Sequence, residues 1–243
     1  MKPFHFKQFS IHQDQCAMKV TLDACLLGAL CASKITQAKS INHTLDIGCG
    51  TGLLSLMLAQ TGLSHIDAVE LDPMAAKQAI CNVEDSPFKS QIKVINQNIK
   101  SIESPYKFDL IISNPPFFSD HLKGPDAKRN QARHNDSLSF SDLNQVIHNQ
   151  LSPNGVAWIL LPYDEFEGFR QSALEKHLKI LNISWVKSQQ YKKAHRVIFT
   201  LQHENAVNPQ TKPLESCIQV SDHGKNEYTP EFKALLSEYY LKL

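Results

Sequence analysis

Three glycines alternate with other residues directly after a short apolar run, and this feature constrains the fold more than any other. The run His43–Ile47 predicts a buried strand, and the chain continues as Gly48-Cys49-Gly50-Thr51-Gly52. Glycine lets the backbone turn sharply and lets a ligand approach it closely. Leucines on one side of a helix follow from Leu53 onward. This order of strand, glycine turn and helix predicts an α/β fold whose ligand binds where the strand ends.

The alternation of strand and helix continues along the chain. The segment Phe108–Ser113 is almost entirely apolar, which is typical of a strand buried on both faces. Repeated β-α units predict an α/β fold with a Rossmann-like, doubly wound and mostly parallel sheet of seven strands. Further strands are predicted at Ile66–Leu71, Lys93–Asn96, Val156–Leu161 and Arg196–Gln202, helices at Ala24–Ala32, Leu53–Thr61, Pro73–Val83, Ser141–Gln150 and Glu231–Leu241, and one more α/β unit at Phe166–Trp185.

Composition narrows the class of protein. The 243 residues are 42% hydrophobic and 20% charged, with a formal net charge of +1, so any nucleic acid must bind through a local basic patch. No apolar run approaches the roughly 20 residues that span a bilayer, and Met1–Ser10 lacks the apolar core of a secretory signal. The six cysteines form no metal-ligand pattern, so we expect reduced thiols, no metal and a cytoplasmic protein.

The acids around the glycines distinguish between classes of cofactor. The spacing is G-x-G-x-G, whereas a dinucleotide site requires G-x-G-x-x-G. Asp46 places a negative charge beside the turn, which would repel a phosphate but suits a ligand with an ammonium and a sulfonium. Glu70 ends the second strand, where a carboxylate can accept both hydroxyls of a ribose. A glycine turn with a capping acid is the alternative, and the position of Glu70 argues against it.

This loop resembles the S-adenosylmethionine loop of class I Rossmann-like methyltransferases. The resemblance implies S-adenosylmethionine as cofactor. Class I enzymes commonly place an Asp after the third strand to accept from the adenine amine of the cofactor, and this chain has Asn98 there. The side-chain oxygen of Asn98 can still accept that hydrogen bond. The predicted cofactor-binding residues of the loop and the strand ends are Asp46, Gly48, Cys49, Gly50, Gly52, Glu70, Leu71 and Asn98.

A second motif, Asn114-Pro115-Pro116-Phe117, ends the fourth strand. Two prolines exclude a helix and fix the loop, so Asn114 is held rigidly. The motif resembles the [DNS]-P-P-[YFW] signature of methyltransferases that act on amines conjugated to a planar system. The Asn114 side-chain oxygen and the Pro115 carbonyl can accept the two N–H bonds of such an amine, and Phe117 can stack on its ring. We predict Asn114, Pro115, Pro116 and Phe117 as the catalytic residues.

Nearly the whole chain resembles the bacterial tRNA1(Val) adenine-37 N6-methyltransferase family. In that family the segment around Lys19 and Asp23 lies over the cofactor, which makes both residues candidate cofactor ligands. The resemblance implies an N-terminal extension over the site, residues 1–40, before a methyltransferase domain, residues 41–243. It is carried by Phe6–Phe9, Cys16–Asp23, Ile112–Phe118, Ala132–His134, His195–Val197, Glu227–Phe232 and Tyr239–Leu241.

Two basic clusters could bind the phosphates of a tRNA. The first borders the predicted active site and consists of Lys123, Lys128, Arg129, Arg133 and His134; the second consists of Lys192, Lys193, His195 and Arg196. The motifs alone do not separate adenine from a guanine N2 amine of ribosomal RNA or from a protein glutamine amide. A nicotinamide dehydrogenase and a non-catalytic RNA-binding protein are alternatives of other classes. The glycine spacing argues against the first, and the intact tetrapeptide argues against both.

Overall fold

The computed structural model describes residues 2–16, 18–35, 41–115, 138–222 and 227–242. The strands are β1 (Phe4–His5), β2 (Ser10–Ile11), β3 (Thr44–Ile47), β4 (Ile66–Glu70), β5 (Ile92–Asn96), β6 (Phe108–Ser113), β7 (Leu151–Pro162), β8 (Leu178–Lys187), β9 (Arg196–His203) and β10 (Leu214–Gln219). The helices are α1 (Leu22–Ile35), α2 (Leu53–Ala59), α3 (Pro73–Glu84), α4 (Phe140–Gln150), α5 (Phe166–Glu175) and α6 (Pro230–Leu236). Short 3₁₀ turns lie at Ile99–Ser101, Tyr163–Glu165 and Glu204–Ala206.

Strands β3 to β10 form one sheet in the order β10-β8-β9-β7-β6-β3-β4-β5. Within it β9 runs antiparallel to both β7 and β8, and the other neighbours are parallel. The chain reverses direction across the sheet between β3 and β6, which are adjacent although two strands separate them in sequence. Ligands of open α/β sheets bind at such a switch point, at the carboxyl ends of the strands.

The sheet separates two hydrophobic cores because successive side chains of a strand point to opposite faces. In β7, Trp158 and Leu160 belong to the core under α1, α2, α3 and α6, whereas Ala157, Ile159 and Leu161 belong to the core under α4 and α5. Helices therefore cover both faces, as the doubly wound prediction requires.

Local signals explain where several helices begin. Asp72 accepts from the amides of Met74 and Ala75 at 2.8 Å each and caps α3, with Pro73 in the first turn. Ser139 and Asp142 form a reciprocal capping box at the start of α4. Capping at Asp72 also fixes the turn that follows β4, which bears on the site described below.

The hairpin of β1 and β2 packs against the segment that follows α6. Phe6 and Tyr240 form an isolated antiparallel bridge, and the Lys7 amide donates to the Tyr239 carbonyl at 2.8 Å. The Tyr239 hydroxyl donates to the Met57 carbonyl of α2 at 3.2 Å. Segments more than 200 residues apart in sequence thus complete one core.

The predicted fold class is confirmed, with one correction to the sheet. Seven strands have the predicted arrangement, but β10 adds an eighth beside β8. The sequence did not reveal β10 because its first four residues are exposed, so its pattern lacks an apolar run. The predicted helix Glu231–Leu241 is too long, since α6 ends at Leu236 and the following residues bond to the β1–β2 hairpin instead.

Helix α1 lies in the same core as α2. A Cβ on Gly28 of α1 would lie 2.6 Å from the Met57 sulfur, so this glycine permits the close approach of the two helices. Most of the predicted extension 1–40 therefore packs against the predicted domain 41–243. The boundary at residue 40 stays a prediction, because residues 36–40 lie outside the described ranges. In the described part of the chain, no helix is long and apolar enough to cross a membrane.

Candidate active site

The glycine loop connects β3 to α2 in a conformation that requires glycine. Gly48, Gly50 and Gly52 have φ values of +71°, +56° and +81°, in the left-handed region that side chains disfavour. The amides of Gly48 and Cys49 both donate to the Val69 carbonyl, at 2.9 and 3.1 Å. These bonds hold the loop against β4, so its shape is set before any ligand binds.

Two of these glycines face open space. Among the described residues, a Cβ on Gly48 would meet no heavy atom within 4 Å, and one on Gly50 would meet only the Cys16 sulfur, at 3.8 Å. Both residues border a cavity of about 550 Å³, within the size range of small-molecule sites. Its lining includes the predicted residues Gly48, Gly50, Glu70, Leu71, Asn98, Asn114 and Pro115, together with Cys16, Met18, Ile47, Val69, Asp72, Pro73, Ala75, Gln97, Ile99, Lys100, Ser113 and Leu138.

The Glu70 carboxylate joins the glycine loop to the turn after β4. One of its oxygens accepts from the Gly50 amide at 2.8 Å, and the other accepts from the Asp72 amide at 2.9 Å. A carboxylate has about four acceptor positions, so each oxygen retains one for a further donor. Glu70 is therefore oriented by the backbone and still able to accept from two ligand hydroxyls.

Asp46 lies beneath the loop and not at the cavity. Its side chain is fully buried, and one oxygen accepts from the amide and the hydroxyl of Ser55, at 3.1 and 2.7 Å. Burial raises the pKa of Asp46 to about 7, against the hydrogen bonds from Ser55. The carboxyl thus anchors the first turn of α2 behind the glycine loop. Cys49 is likewise buried in the core, so only its backbone takes part in the loop.

Asn98 lines the cavity but already has a structural role. Its side-chain oxygen accepts from the Lys100 amide at 3.0 Å and caps the turn Ile99–Ser101. A carbonyl oxygen has a second lone pair, which leaves room for one more donor. The neighbouring Asn96 amide donates to the carbonyls of Glu70 and Leu71, at 2.9 and 3.0 Å, and so fixes the end of β4.

Asn114 follows the last residue of β6, next to the glycine loop. Ile47 and Ser113 are register partners, and the Ser113 hydroxyl donates to the Ile47 carbonyl at 2.8 Å. The Asn114 amide nitrogen lies 3.9 Å from the Met18 sulfur. Its side-chain oxygen is buried and has no hydrogen-bond partner among the described residues. Because such an oxygen is costly to leave unpaired and lies beside the cavity, it is available to accept from a ligand that binds there.

Pro115 is buried beside Asn114 at the cavity, whereas Pro116 and Phe117 lie outside the described residues. The same is true of the first basic cluster, Lys123, Lys128, Arg129, Arg133 and His134.

Lys19 and Asp23 are placed away from the cavity lining. The Lys19 ammonium donates to the carbonyls of Gln13 and Cys16, the latter at 3.0 Å. These bonds connect Lys19 to the backbone of residues earlier in its own segment. Asp23 forms ion pairs with Arg196 at 3.0 Å and with His195 at 3.6 Å. Cys16 and Met18 of the same segment reach the cavity instead, and the sequence gives no signal for either of them.

Two amide side chains on α3 were missed by the sequence analysis. Asn82, fully buried, accepts from the His12 amide at 2.8 Å and donates to the carbonyls of His12 and Thr51, at 2.9 Å each. Gln78, one turn earlier, accepts from the Gln15 amide at 3.2 Å. Asn82 therefore ties the segment before Cys16 to the glycine loop. The spacing i, i+4 of two amides on a buried helix face was the available signal.

Replacing Asn82 with Asp should weaken the affinity for S-adenosylmethionine by up to about 30-fold, because two donated hydrogen bonds are lost and each contributes roughly 1 kcal/mol. The rate constant at saturating cofactor should change less, since Asn82 is not among the residues proposed to hold the methyl acceptor. Calorimetry and steady-state kinetics measure the two effects. Asn182→Asp is the matched control. Among the described residues, the Asn182 amide of β8 donates only to the Thr200 hydroxyl of β9, away from the cavity. Unchanged affinity in a folded Asn82→Asp protein would contradict this role.

Comparisons with known proteins agree with this geometry. Residues 26–135 match the family model of the methyltransferase small domain. The chain is 39% identical to the tRNA1(Val) (adenine(37)-N6)-methyltransferase of Bacteroides thetaiotaomicron over 245 residues, which covers 99% of this chain and 98% of that protein. It is 40% identical to the protein of the same name from Dyadobacter fermentans, covering 98% of this chain and 97% of that one.

Solved structures carry the same fold at much lower identity. A predicted O-methyltransferase of Agrobacterium tumefaciens has a TM-score of 0.67 at 15% identity and covers 89% of this chain and 96% of that one. The ribosomal protein L11 methylase of Lactobacillus delbrueckii has a TM-score of 0.54 at 14% identity, covering 73% and 77%. With the glycine loop, Glu70 and Asn114 at one sheet edge, and with relatives this similar along almost the full length, the protein belongs to the tRNA1(Val) (adenine(37)-N6)-methyltransferase family of S-adenosylmethionine-dependent enzymes.

Proposed function

We propose that this protein transfers the methyl group of S-adenosylmethionine to the N6 amine of adenine 37 in the anticodon loop of a valine tRNA. The observation that carries the proposal is the buried side-chain oxygen of Asn114, which has no partner among the described residues and lies beside the cavity. An acceptor in this position suits an N–H donor that arrives with the substrate. The relatives' name supplies the tRNA and the nucleotide.

The residues around the cavity fit this cofactor. Gly48 and Gly50 leave space where side chains would stand, and Glu70 offers two oriented oxygens to a ribose diol. Asn98 retains a lone pair for an adenine amine, and Leu71, 49% exposed at the cavity, offers an apolar surface. S-adenosylmethionine supplies an electrophilic methyl group on a sulfonium. Asp46 supports the loop from below by accepting hydrogen bonds from Ser55. Cys49 and Gly52 form part of the turn itself, where the Gly52 amide donates to the Cys49 carbonyl.

Positioning accounts for most of the chemistry. An exocyclic adenine amine is a weak nucleophile because its lone pair is delocalised into the ring. When the Asn114 oxygen and the Pro115 carbonyl accept its two N–H bonds, electron density on the nitrogen increases and the lone pair is aimed. Phe117 would hold the extruded base by stacking, and the prolines before it would restrict the backbone. Bringing the reactants together in line then lowers the barrier, and the proton can leave late without a strong base.

The tRNA is proposed to bind through the loop that contains Lys123, Lys128, Arg129, Arg133 and His134, which adjoins the tetrapeptide in sequence. Phosphate contacts would supply affinity, while the extruded base supplies identity. An adenine in a loop is favoured because it is weakly stacked and costs little to extrude. A tRNA substrate also assigns the enzyme to the cytoplasm.

The substrate is tested with total tRNA from a strain in which the gene for this protein is deleted. After incubation with enzyme and cofactor, nucleoside digestion and mass spectrometry should reveal new N6-methyladenosine confined to one valine isoacceptor. The matched control is the same incubation with the Asn114→Ala protein, which keeps the cofactor site. Methylation of guanine in ribosomal RNA, or of a protein glutamine, would contradict the proposal in favour of the corresponding alternative activity.

A further inference from the structure

The loop between β8 and β9 presents an aromatic ring and two ammonium groups to solvent. Tyr191 is 77% exposed, the largest exposed fraction of any large hydrophobic side chain among the described residues. The Lys192 ammonium lies 5.5 Å from the centroid of the Tyr191 ring, and Lys193 follows it, also exposed. A backbone bond from the Lys192 amide to the Gln189 carbonyl, at 3.0 Å, holds the turn. We call Tyr191, Lys192 and Lys193 the β8–β9 patch.

The β8–β9 patch stands at the same edge of the sheet as Asn114. Ser113 pairs with Ile159 of β7, and three residues further along β7 Pro162 pairs with Arg196, the first residue of β9. The loop between β8 and β9 therefore lies beside the carboxyl end of β7, which is the strand next to β6. Its base is fixed there, since the Tyr163 amide donates to the His195 carbonyl at 3.2 Å.

The structure divides the second basic cluster of the sequence into two parts. His195 and Arg196 are occupied by Asp23, at 3.6 and 3.0 Å, and connect the start of α1 to the sheet edge. Neither Lys192 nor Lys193 forms an ion pair with any residue in the described ranges. Within this second cluster, the two lysines beside the Tyr191 ring are thus the residues whose charge is not neutralised by an ion pair in the described ranges.

We propose that the β8–β9 patch is a contact surface for single-stranded RNA, in which an unpaired base stacks on Tyr191 and the adjacent phosphates bind Lys192 and Lys193. Exposed aromatic rings flanked by cations bind single strands in this way, because every base has a π-face and every nucleotide carries a phosphate. The inference rests on the proposed function for its RNA. It assigns a second contact, beside the acceptor pocket, to a nucleotide of the same loop.

The experiment measures the affinity of the full-length protein for unmodified tRNA. Tyr191→Ala should weaken tRNA binding about tenfold, the effect expected from losing one stacked base, whereas Tyr191→Phe keeps the ring and should bind like the unaltered protein. The double variant Lys192→Gln with Lys193→Gln should weaken binding and flatten its salt dependence, because fewer counterions are released. The matched control, Lys89→Gln with Lys176→Gln, removes the same charge away from the sheet edge that carries Asn114. Affinity for S-adenosylmethionine should stay unchanged throughout.

The outcomes separate this inference from the proposed function. Unchanged tRNA affinity in Tyr191→Ala, with N6-methyladenosine still formed, would overturn the β8–β9 patch and leave the proposed function standing. An equal loss in Tyr191→Phe would also overturn it, because stacking would not be the cause. If the unaltered protein bound tRNA without methylating it, the proposed function would fail, while an affinity loss confined to Tyr191→Ala and the lysine pair would still support the patch.

Discussion

Replacing Asn114 with Ala is expected to lower the methyl-transfer rate constant by about 100-fold or more, while the affinity for S-adenosylmethionine stays near that of the unaltered enzyme. The reason is the location of its side-chain oxygen, buried at the end of β6 with no partner among the described residues. Removing that oxygen removes an acceptor for the target amine and leaves Glu70 and the glycine loop intact. Single-turnover kinetics and calorimetry measure the two quantities.

Two further variants make the Asn114 test specific. Asn114→Asp keeps an acceptor oxygen and should retain a larger part of the rate than Asn114→Ala. Asn144→Ala alters a fully buried asparagine on α4, away from the cavity lining, and should affect stability and not the rate constant. A folded Asn114→Ala enzyme with a near-normal rate would mean that another residue orients the amine.

Replacing Gly50 with Val is expected to weaken S-adenosylmethionine binding by about 100-fold or more. Gly50 has a φ of +56°, where a side chain costs about 1–2 kcal/mol and a β-branched one is a clear outlier. Its Cβ would also point into the space proposed for the ligand, since among the described residues only the Cys16 sulfur lies within 4 Å. A shifted loop would further disturb the bond from the Gly50 amide to Glu70, 2.8 Å in length.

Gly62→Val is the matched control for strain. Gly62 has a φ of +96°, and no heavy atom of the described residues lies within 4 Å of its Cβ position. It follows the end of α2 that is away from the cavity. Both variants should lose thermal stability to a similar extent, but only Gly50→Val should lose cofactor affinity in calorimetry. Equal affinities for the two folded variants would remove the glycine loop from the cofactor site.

The central strands were predictable because burial on both faces leaves a plain apolar signal. Phe108–Ser113 was predicted to the residue, and the strand at β3 began one residue later than expected. The glycines at positive φ could be predicted because local backbone geometry requires them, and Glu70 could be predicted because an acid stood at the end of an apolar strand. The close placement of the glycine loop and Asn114 follows from the parallel pairing of β3 with β6.

Contacts between distant segments were not predictable. The pairing of Asp23 with Arg196, and of Asn82 with His12 and Thr51, depends on where the chain returns in three dimensions. Asp23 was predicted as a cofactor ligand from the family resemblance alone, and nothing at Asp23 itself indicates the ion pair with Arg196. Strand β10 was not predicted either, because most of its side chains are exposed and give no apolar pattern. Its place in the sheet depends on backbone hydrogen bonds to β8.

The packing of the β1–β2 hairpin on the segment after α6 has a consequence for synthesis on the ribosome. Lys7 bonds to Tyr239, and the Phe6 ring lies 5.7 Å from that of Tyr240, so the partners of the hairpin are made only after all the strands of the sheet. During elongation the first aromatic residues stay uncovered while the strands of the sheet emerge one after another. The segment that begins at His12, which Asn82 of α3 ties to the glycine loop, follows this hairpin directly. A nascent chain therefore keeps these aromatic residues uncovered until the segment after α6 has been made, and fragments that stop before this segment are expected to be substrates for chaperones and proteases.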